Sequence, residues 1–197
     1  MKKILILFAH PRLENSRVNS RLIGAIPDSP DITFHDLYEN YPDFNIDVEY
    51  EKELLLGHDV VVWHHPLYWY SCPPLLKQWI DMVLEYGWAY GKGGDKLEGK
   101  LIFNAITAGG NNDAYCPEGY NCYTIPDFLR TFQQTARLCH MEYLPPFAVM
   151  GTHRMGDREI EEAAADYAAL LESLLENSID VSRTGEMAFL NELVAAR

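Results

Sequence analysis

The chain has 197 residues, 48% of them hydrophobic and 12% aromatic, which suffices to bury the core of one globular domain and excludes a disordered chain. Its formal net charge of −13 argues against a nucleic-acid backbone as ligand and against charge-driven binding to anionic lipid. No segment approaches membrane-spanning length, and the apolar run after Lys3 is cut off at His10 and is too short for a signal peptide, so a cytoplasmic protein is expected.

The four cysteines form no CxxC pair, and their scatter is typical of free thiols in a reducing cytosol. Cys116 and Cys122 share one loop and could form a metal or redox pair. No histidine stands at ligand spacing beside them, so we expect no metal site.

A buried strand is predicted at residues 3–9, followed by a polar loop that turns into a helix ending near Ile26. Asn15 or Ser16 is a good N-cap for this helix. Free N–H groups and the positive end of the helix dipole make such an N-terminus a phosphate site, to which Ser16, Arg17 and Asn19 could add contacts. The loop has neither a P-loop lysine nor a GxGxxG pattern, and the alternative is an ordinary capped helix with a surface arginine.

The next elements are a more exposed strand at 31–37, a helix at 48–56 and a buried strand at 59–62. An aromatic-rich loop, residues 63–74, then leads into an amphipathic helix. Its prolines stiffen the loop, and the consecutive residues Tyr68, Trp69 and Tyr70 cannot all point into the core. Each has a polar tip that needs a partner or water. A flat, π-faced ligand is therefore favoured over the alternative, an ordinary core cluster.

The rest of the chain continues the alternation of strands and helices. The predicted elements are a glycine-rich loop at 88–95, a strand at 100–107, a turn at 108–113, a long loop at 114–124, a helix at 126–139, a strand at 142–150 interrupted by Pro145-Pro146, a helix at 158–175 and a short helix at 184–196. These boundaries divide the chain into one domain, residues 1–177, and a C-terminal tail, residues 178–197.

This alternation predicts an α/β fold with a five-stranded parallel sheet and helices on both faces. The expected strand order is 2-1-3-4-5. Ligands bind such sheets at the carboxyl ends of the strands, where the order reverses, which is here between strands one and three. The loops that follow these two strands, residues 10–20 and 65–73, are therefore expected to converge on one site.

Eight motifs carry a resemblance to a known family. They are Ala9-His10-Pro11, Ser16 to Asn19, Tyr41-Pro42-Asp43-Phe44, Pro66-Leu67-Tyr68-Trp69-Tyr70, Pro73 to Trp79, Gly87-Trp88-Ala89-Tyr90-Gly91, Thr107-Ala108-Gly109-Gly110 and Leu144-Pro145-Pro146-Phe147. With them, over about residues 3 to 150, the chain resembles the flavodoxin-like NAD(P)H:quinone oxidoreductases. Within that family it is most similar to the bacterial flavoproteins that accompany glutathione-regulated potassium-efflux antiporters.

The resemblance implies a noncovalent flavin that takes up electrons from NAD(P)H. FMN is favoured over FAD, because the long C-terminal extension of the larger FAD-binding relatives is missing. His10 and the turn at 16–19 would hold the phosphate, the segment 67–70 would run along the isoalloxazine, and the backbone of 107–110 would approach its pyrimidine end. The residues expected to bind the cofactor are His10, Ser16, Arg17, Val18, Asn19, Pro66, Leu67, Tyr68, Trp69, Tyr70, Thr107, Ala108, Gly109 and Gly110.

The same resemblance implies two-electron reduction of quinones by NAD(P)H, by hydride transfer in a ping-pong scheme with one shared pocket. The backbone N–H groups of Gly109 and Gly110 would stabilise negative charge on the flavin as an oxyanion hole does. Tyr115 stands where the family has its active-site tyrosine. The histidine that follows this tyrosine in the family is missing, and Asn121 in the corresponding stretch can donate a hydrogen bond but not a proton.

In the relatives a second subunit completes the pocket, so a homodimer is expected, with Trp88, Tyr90 and Phe128 as candidates for the shared wall. Two other roles stay open. An electron-carrier flavodoxin would share the fold but needs no nicotinamide pocket, and a regulatory ancillary subunit would activate a potassium-efflux antiporter at the inner face of the membrane. An azo- or nitroreductase would differ only in substrate.

Overall fold

The computed structural model describes residues 1–194, except the side chain of Ser182. The strands are β1 (Ile4–Phe8), β2 (Ile32–Asp36), β3 (Val60–Pro66), β4 (Leu101–Ala108), β5 (Glu142–Tyr143) and β6 (Phe147–Met150). The helices are α1 (Arg17–Gly24), α2 (Leu37–Asn40), α3 (Val48–Leu56), α4 (Pro74–Val83), α5 (Ile125–Phe128), α6 (Arg130–Leu138), α7 (Asp157–Leu175) and α8 (Val181–Thr184). No helix within residues 1–194 is long and apolar enough to cross a bilayer.

The sheet is parallel throughout, in the order β2-β1-β3-β4-β5, which confirms the predicted topology. The predicted fifth strand is two short strands, because β5 pairs with the start of β4 and β6 pairs with its end. Pro145 and Pro146 separate them, since proline has no N–H group to donate to a strand ladder. The predicted helix at 126–139 is also divided, into α5 and α6, at Leu129.

The prediction that the third strand ends at Val62 was wrong. β3 continues to Pro66, and Trp63, His64 and His65 are fully buried in it, paired with the second half of β4. Imidazole rings are rarely fully buried, so the sequence indicated a loop there. The strand tolerates the two imidazoles because both ring nitrogens of His64 and of His65 have hydrogen-bond partners. Since β3 ends at Pro66, the loop is confined to residues 67–73.

Helices cover both faces of the sheet, as predicted. On one face, Leu55, Trp79 and Phe132 of α3, α4 and α6 pack against the sheet. On the other face, Leu22 of α1 and Leu171 of α7 do so. Each of these helices therefore buries apolar side chains against the sheet.

The residues after α7 pack on the sheet edge formed by β6. The backbone N–H of Leu190 donates to the Pro146 carbonyl at 2.9 Å, and the Asn191 amide exchanges two hydrogen bonds with the backbone of Ala148. These bonds satisfy backbone groups that an edge strand leaves unpaired. Instead of one helix at 184–196, the structure has α8 and a 3-10 turn at Leu190–Leu193, and Ala195 and Ala196 lie outside the described residues.

The two buried histidines of β3 generate a pH prediction. Burial lowers the pKa of His64 from 6.5 to about 3 and that of His65 to about 4, so both rings stay neutral in the folded protein. The unfolded chain binds a proton at each ring as the pH falls through about 6.5. The free energy of unfolding should therefore decrease from about pH 6.5 towards pH 4, by about 1.4 kcal/mol per pH unit for each histidine.

Urea unfolding between pH 5 and 7.5 measures this slope. His65→Asn should reduce the slope by about 1.4 kcal/mol per pH unit, because one proton fewer is taken up on unfolding. His140→Asn is the matched control, because His140 is exposed and its positive φ of 58° suits asparagine. Parallel slopes for the wild type and His65→Asn would contradict the assignment.

Candidate active site

A cavity of about 600 Å³ opens at the carboxyl edge of the sheet, between the loops that follow β1, β3, β4 and β6. The first two loops meet there because the strand order reverses between β1 and β3. The predicted cofactor-binding residues on its wall are His10, Ser16, Arg17, Val18, Asn19, Pro66, Leu67, Tyr68, Thr107 and Gly109. The predicted site residues outside this wall are Trp69, Tyr70, Ala108, Gly110, Tyr115 and Asn121.

His10, two residues after β1, lines the cavity. The backbone N–H of Arg12 donates to His10 Nδ1 at 3.1 Å. Burial lowers the pKa of His10, and nearby Glu14 opposes this only in part, so the ring is neutral at pH 7. With Nδ1 as acceptor, the single ring proton is on Nε2.

The first turn of α1 forms the adjacent wall. Ser16 caps the helix, since its Oγ accepts from the backbone N–H of Asn19 at 3.3 Å, as the sequence indicated. The backbone N–H groups of Arg17 and Val18 lie in the first turn of the helix, where no helical carbonyl is available to accept them. Together with the positive end of the helix dipole, they favour an anion at this wall.

The side chain of Arg17 is turned towards the start of α7. Its Nη2 lies 2.6 Å from Asp157 Oδ1, and its Nη1 donates to the Met155 carbonyl at 3.3 Å. Both partners of the ion pair are largely exposed, so the pair adds little stability. The Arg17 guanidinium therefore has protein partners in Asp157 and Met155, and the first-turn backbone N–H groups are the other donors at this wall.

The loop after β3 exposes its aromatic side chains, as its pattern predicts. Trp69 is 92% exposed, and Tyr68 and Tyr70 are about half buried. Trp69 and Tyr70 both have positive φ angles, 49° and 63°, which costs a non-glycine residue about 1 kcal/mol or more each. Backbone hydrogen bonds from Leu67 to the Thr107 carbonyl and from Ser71 to the Tyr68 carbonyl hold this conformation.

The loop after β4 brings the backbone close to the cavity at two glycines. A Cβ on Gly109 would collide with the imidazole of His153, and one on Gly110 would lie 3.0 Å from the Tyr115 ring. Absence of a side chain at both positions lets neighbouring rings, and by the same argument a planar ligand, approach the peptide groups.

Tyr115 and Asn121 belong to an aromatic cluster beside the cavity. The Tyr70 ring stacks on Phe128 at 4.8 Å between centroids, Tyr115 meets the edge of Phe128 at 6.1 Å, and the Tyr70 hydroxyl donates to Asn121 Oδ1 at 3.2 Å. Burial raises the pKa of Tyr115, with a smaller contribution from Tyr70, so its phenol is neutral at pH 7. The 114–124 loop is therefore joined to the aromatic loop that follows β3.

Four wall residues were missing from the sequence prediction, namely Arg12, Asn15, Thr152 and His153. Asn15 was considered only as a helix cap. Thr152 and His153 follow β6, in a loop for which the sequence predicts no function. The carboxyl end of a strand next to β4 is a signal that could have identified them.

Comparisons with known proteins identify the family of the chain. A family model described as "Flavodoxin-like fold" matches residues 2–171. The chain belongs to the flavodoxin-like family. The resemblance stated from the motifs is therefore confirmed.

Two curated relatives are named for redox and transport roles. An uncharacterized NAD(P)H oxidoreductase, YdeQ of Bacillus subtilis, is 47% identical over 165 residues, which cover 84% of this chain and 84% of the relative. The glutathione-regulated potassium-efflux system ancillary protein KefG of Serratia proteamaculans is 44% identical over 173 residues, covering 88% of this chain and 94% of the relative.

Two solved structures also match the chain over most of its length. General stress protein 14 of Treponema denticola, solved in complex with FMN, is 42% identical with a TM-score of 0.83, covering 87% of this chain and 99% of that protein. An NADPH-quinone reductase from P. pentosaceus is 32% identical with a TM-score of 0.77, covering 84% of this chain and 95% of that protein. These names support an NAD(P)H oxidoreductase of the quinone-reductase type.

The glycines of the site and of the 88–95 loop should differ in their tolerance of a methyl group. In Gly109→Ala the new Cβ meets only the end of the His153 side chain, which can rotate away, so we expect a stability loss below about 1 kcal/mol. In Gly94→Ala the Cβ would overlap the backbone of Tyr90, and we expect a loss of about 2 kcal/mol or more. Urea unfolding of both variants checks this, and equal losses would contradict it.

Proposed function

We propose that this protein is a flavin-dependent oxidoreductase that reduces quinones by two electrons at the expense of NAD(P)H in a ping-pong scheme, with noncovalent FMN as cofactor. One observation carries the proposal. The anion-binding start of α1 and the exposed aromatic loop after β3 open into the same cavity. A ligand with a phosphate at one end and a flat ring at the other fits that combination.

The donors at the phosphate end suit a phosphate ester. His10 Nε2 and the first-turn N–H groups of Arg17 and Val18 supply donors without a competing carboxylate on the cavity wall. The volume of about 600 Å³ lies within the range of small-molecule sites. FMN, which ends in such a phosphate, would be held here, while the adenylate half of FAD would need further contacts.

At the other end, Pro66, Leu67 and Tyr68 would form one wall of a ring site and Gly109 the opposite wall. Bound FMN would supply the two-electron chemistry, and the protein would position and polarise it. The peptide N–H groups of Gly109 and Gly110 would donate to the ring edge, where negative charge develops on reduction. The missing Cβ atoms permit this approach.

Tyr115 and Asn121 would act on the substrate rather than on the cofactor. The neutral Tyr115 phenol can donate a hydrogen bond to a nicotinamide amide or to a quinone oxygen. Asn121 is already fixed by the Tyr70 hydroxyl and can donate through its amide nitrogen. Neither side chain supplies a proton readily, so protons for the reduced quinone would come from solvent.

We also propose a cytoplasmic homodimer. The four cysteines are free thiols, as expected in a reducing compartment. Trp88, Tyr90 and Phe128 are each partly exposed, and Phe128 adjoins the candidate site through Tyr70 and Tyr115. A second subunit resting on these rings would enclose the ring end of the cavity.

The central test is the absorbance of the purified protein. We expect flavin bands in the near-UV and blue that bleach on anaerobic addition of NADPH or NADH and return on addition of a soluble quinone. A protein that binds no FMN would exclude the proposal. Bands that NAD(P)H does not bleach would instead favour an electron-carrier flavodoxin, and faster reoxidation by azo or nitro compounds would favour that substrate class.

A second prediction concerns Tyr115. Tyr115→Phe removes one hydrogen bond to the substrate, so the rate of one or both half-reactions should fall by about tenfold, equivalent to roughly 1.4 kcal/mol. Stopped-flow measurement of the reductive and oxidative halves locates the effect. Tyr123→Phe is the matched control, since Tyr123 also contacts Phe128 but is 59% exposed. Unchanged rates in both halves for Tyr115→Phe would remove it from the site.

A role as ancillary subunit of a potassium-efflux antiporter is the second candidate, favoured by the relative at 44% identity that bears that name. It is compatible with enzymatic activity. Potassium efflux through a co-expressed antiporter, with and without this protein, tests it directly. Equal efflux in both cases would exclude the regulatory role.

A further inference from the structure

A chain of hydrogen bonds leads from the core of α7 to the phosphate end of the cavity. The Tyr167 hydroxyl lies 3.2 Å from His64 Nδ1, and His64 Nε2 lies 3.2 Å from Asn19 Oδ1. Asn19 Nδ2 lies 2.9 Å from Ser16 Oγ and 3.0 Å from Thr107 Oγ1. The first three of these residues are at most 2% exposed, and the last two line the cavity.

Tyr167 determines the direction of donation along this chain of hydrogen bonds. Its hydroxyl is fully buried, and within the described residues His64 Nδ1 is its hydrogen-bond partner. A buried phenol proton needs an acceptor, so Tyr167 donates and His64 Nδ1 accepts. Burial lowers the pKa of His64 to about 3, with smaller contributions from His65 and His10, so the ring is neutral and its proton is on Nε2. His64 Nε2 therefore donates to Asn19 Oδ1.

The orientation of Asn19 follows. With its oxygen facing His64, its amide nitrogen donates to both Ser16 Oγ and Thr107 Oγ1. Ser16 Oγ also accepts the backbone N–H of Asn19, so both of its acceptor positions are used. Within the part of the chain that the structure describes, neither hydroxyl donates to a protein atom. Their protons are therefore available to a ligand. The opposite polarity would leave the Tyr167 proton buried without an acceptor.

We propose that Tyr167 and His64 are positioning residues which, through Asn19, turn the hydroxyl protons of Ser16 and Thr107 towards the ligand and so make the cavity selective for a phosphate ester. The inference rests on the proposed function for the identity of that ester, FMN. Tyr167 and His64 touch neither ligand nor solvent, and their effect on affinity should be confined to the phosphate.

The sheet contains a second, similar chain of hydrogen bonds, which ends at a backbone carbonyl and not at the cavity. The Tyr143 hydroxyl donates to Asn104 Oδ1 at 2.6 Å, and Asn104 Nδ2 donates to His65 Nε2 at 2.9 Å. His65 Nδ1 then donates to the Pro66 carbonyl at 2.9 Å, so this chain stops at the backbone and His65 carries its proton on Nδ1. Tyr143→Phe is accordingly the control for Tyr167→Phe.

The first experiment measures dissociation constants of FMN and riboflavin, by quenching of flavin fluorescence, for the full chain freed of bound flavin. Tyr167→Phe should weaken FMN binding about fivefold and leave riboflavin binding within about twofold. Tyr143→Phe should change neither. In a Ser16→Ala background the effect of Tyr167→Phe on FMN should shrink, because one of the two hydroxyls through which it acts is gone. Unchanged FMN binding, or equal losses for both flavins, would overturn the inference.

A second measurement does not depend on flavin or on the variants. Nitrogen-15 NMR of the histidine side chains at pH 7 distinguishes the two neutral tautomers. We expect the proton on Nε2 for His64 and on Nδ1 for His65. A His64 proton on Nδ1 would overturn the inference. Wild-type protein that binds neither flavin but shows the expected tautomers would exclude the proposed function. It would still support the direction of hydrogen-bond donation from Tyr167 through His64 to Asn19.

Discussion

The pairing of β3 between β1 and β4 is the interaction on which the rest of the structure depends. It fixes the ends of three strands at one edge of the sheet, so that His10, Pro66 and Thr107 lie around a single cavity although about 100 residues separate the first from the last. The position of a parallel strand is set by its buried side chains, and β3 is buried over its whole length. The packing of the core thus determines where the site lies, and the loops contribute the side chains and peptide groups that line it.

The same strand connects the core to the cavity through polar groups. Fully buried histidines are stable only when each ring nitrogen is paired, and the partners of His64 and His65 come from α7, α1, β4 and β3 itself. These hydrogen bonds restrict each ring to one tautomer and each partner amide to one orientation. A packed apolar strand at this position would position the loops equally well, but it would leave Asn19 Oδ1 without the His64 N–H that determines which way the amide faces. The buried polar side chains next to the cavity therefore fix the orientation of the hydrogen-bond donors on its wall.

The sequence was sufficient to predict the fold and the loops that meet, because strand order and the first turn of α1 follow from local patterns. Prediction from the sequence failed where contacts with residues distant in sequence determine whether a side chain is buried or lines the site. His64 and His65 look like loop residues until Tyr167 and Asn104 are known to face them. The pairing of Arg17, which lines the cavity, with Asp157, 140 residues later, also cannot be seen from the sequence. The contribution of the loop after β6, with His153 against Gly109, is likewise invisible without the pairing of β6 to β4.

The missing histidine near Tyr115 can be understood from the cluster that surrounds it. Tyr70 donates to Asn121 and stacks on Phe128, and Tyr115 meets the edge of the same ring. An asparagine accepts the Tyr70 hydroxyl and donates through its amide N–H at any pH, whereas an imidazole in its place could do both only while it is neutral. Asn121 therefore joins the long loop to the strained turn at Trp69 and Tyr70 at neutral pH without any titrating group. The proposed two-electron chemistry needs such a fixed donor more than it needs a proton source, because water can reach the exposed edge of this cluster.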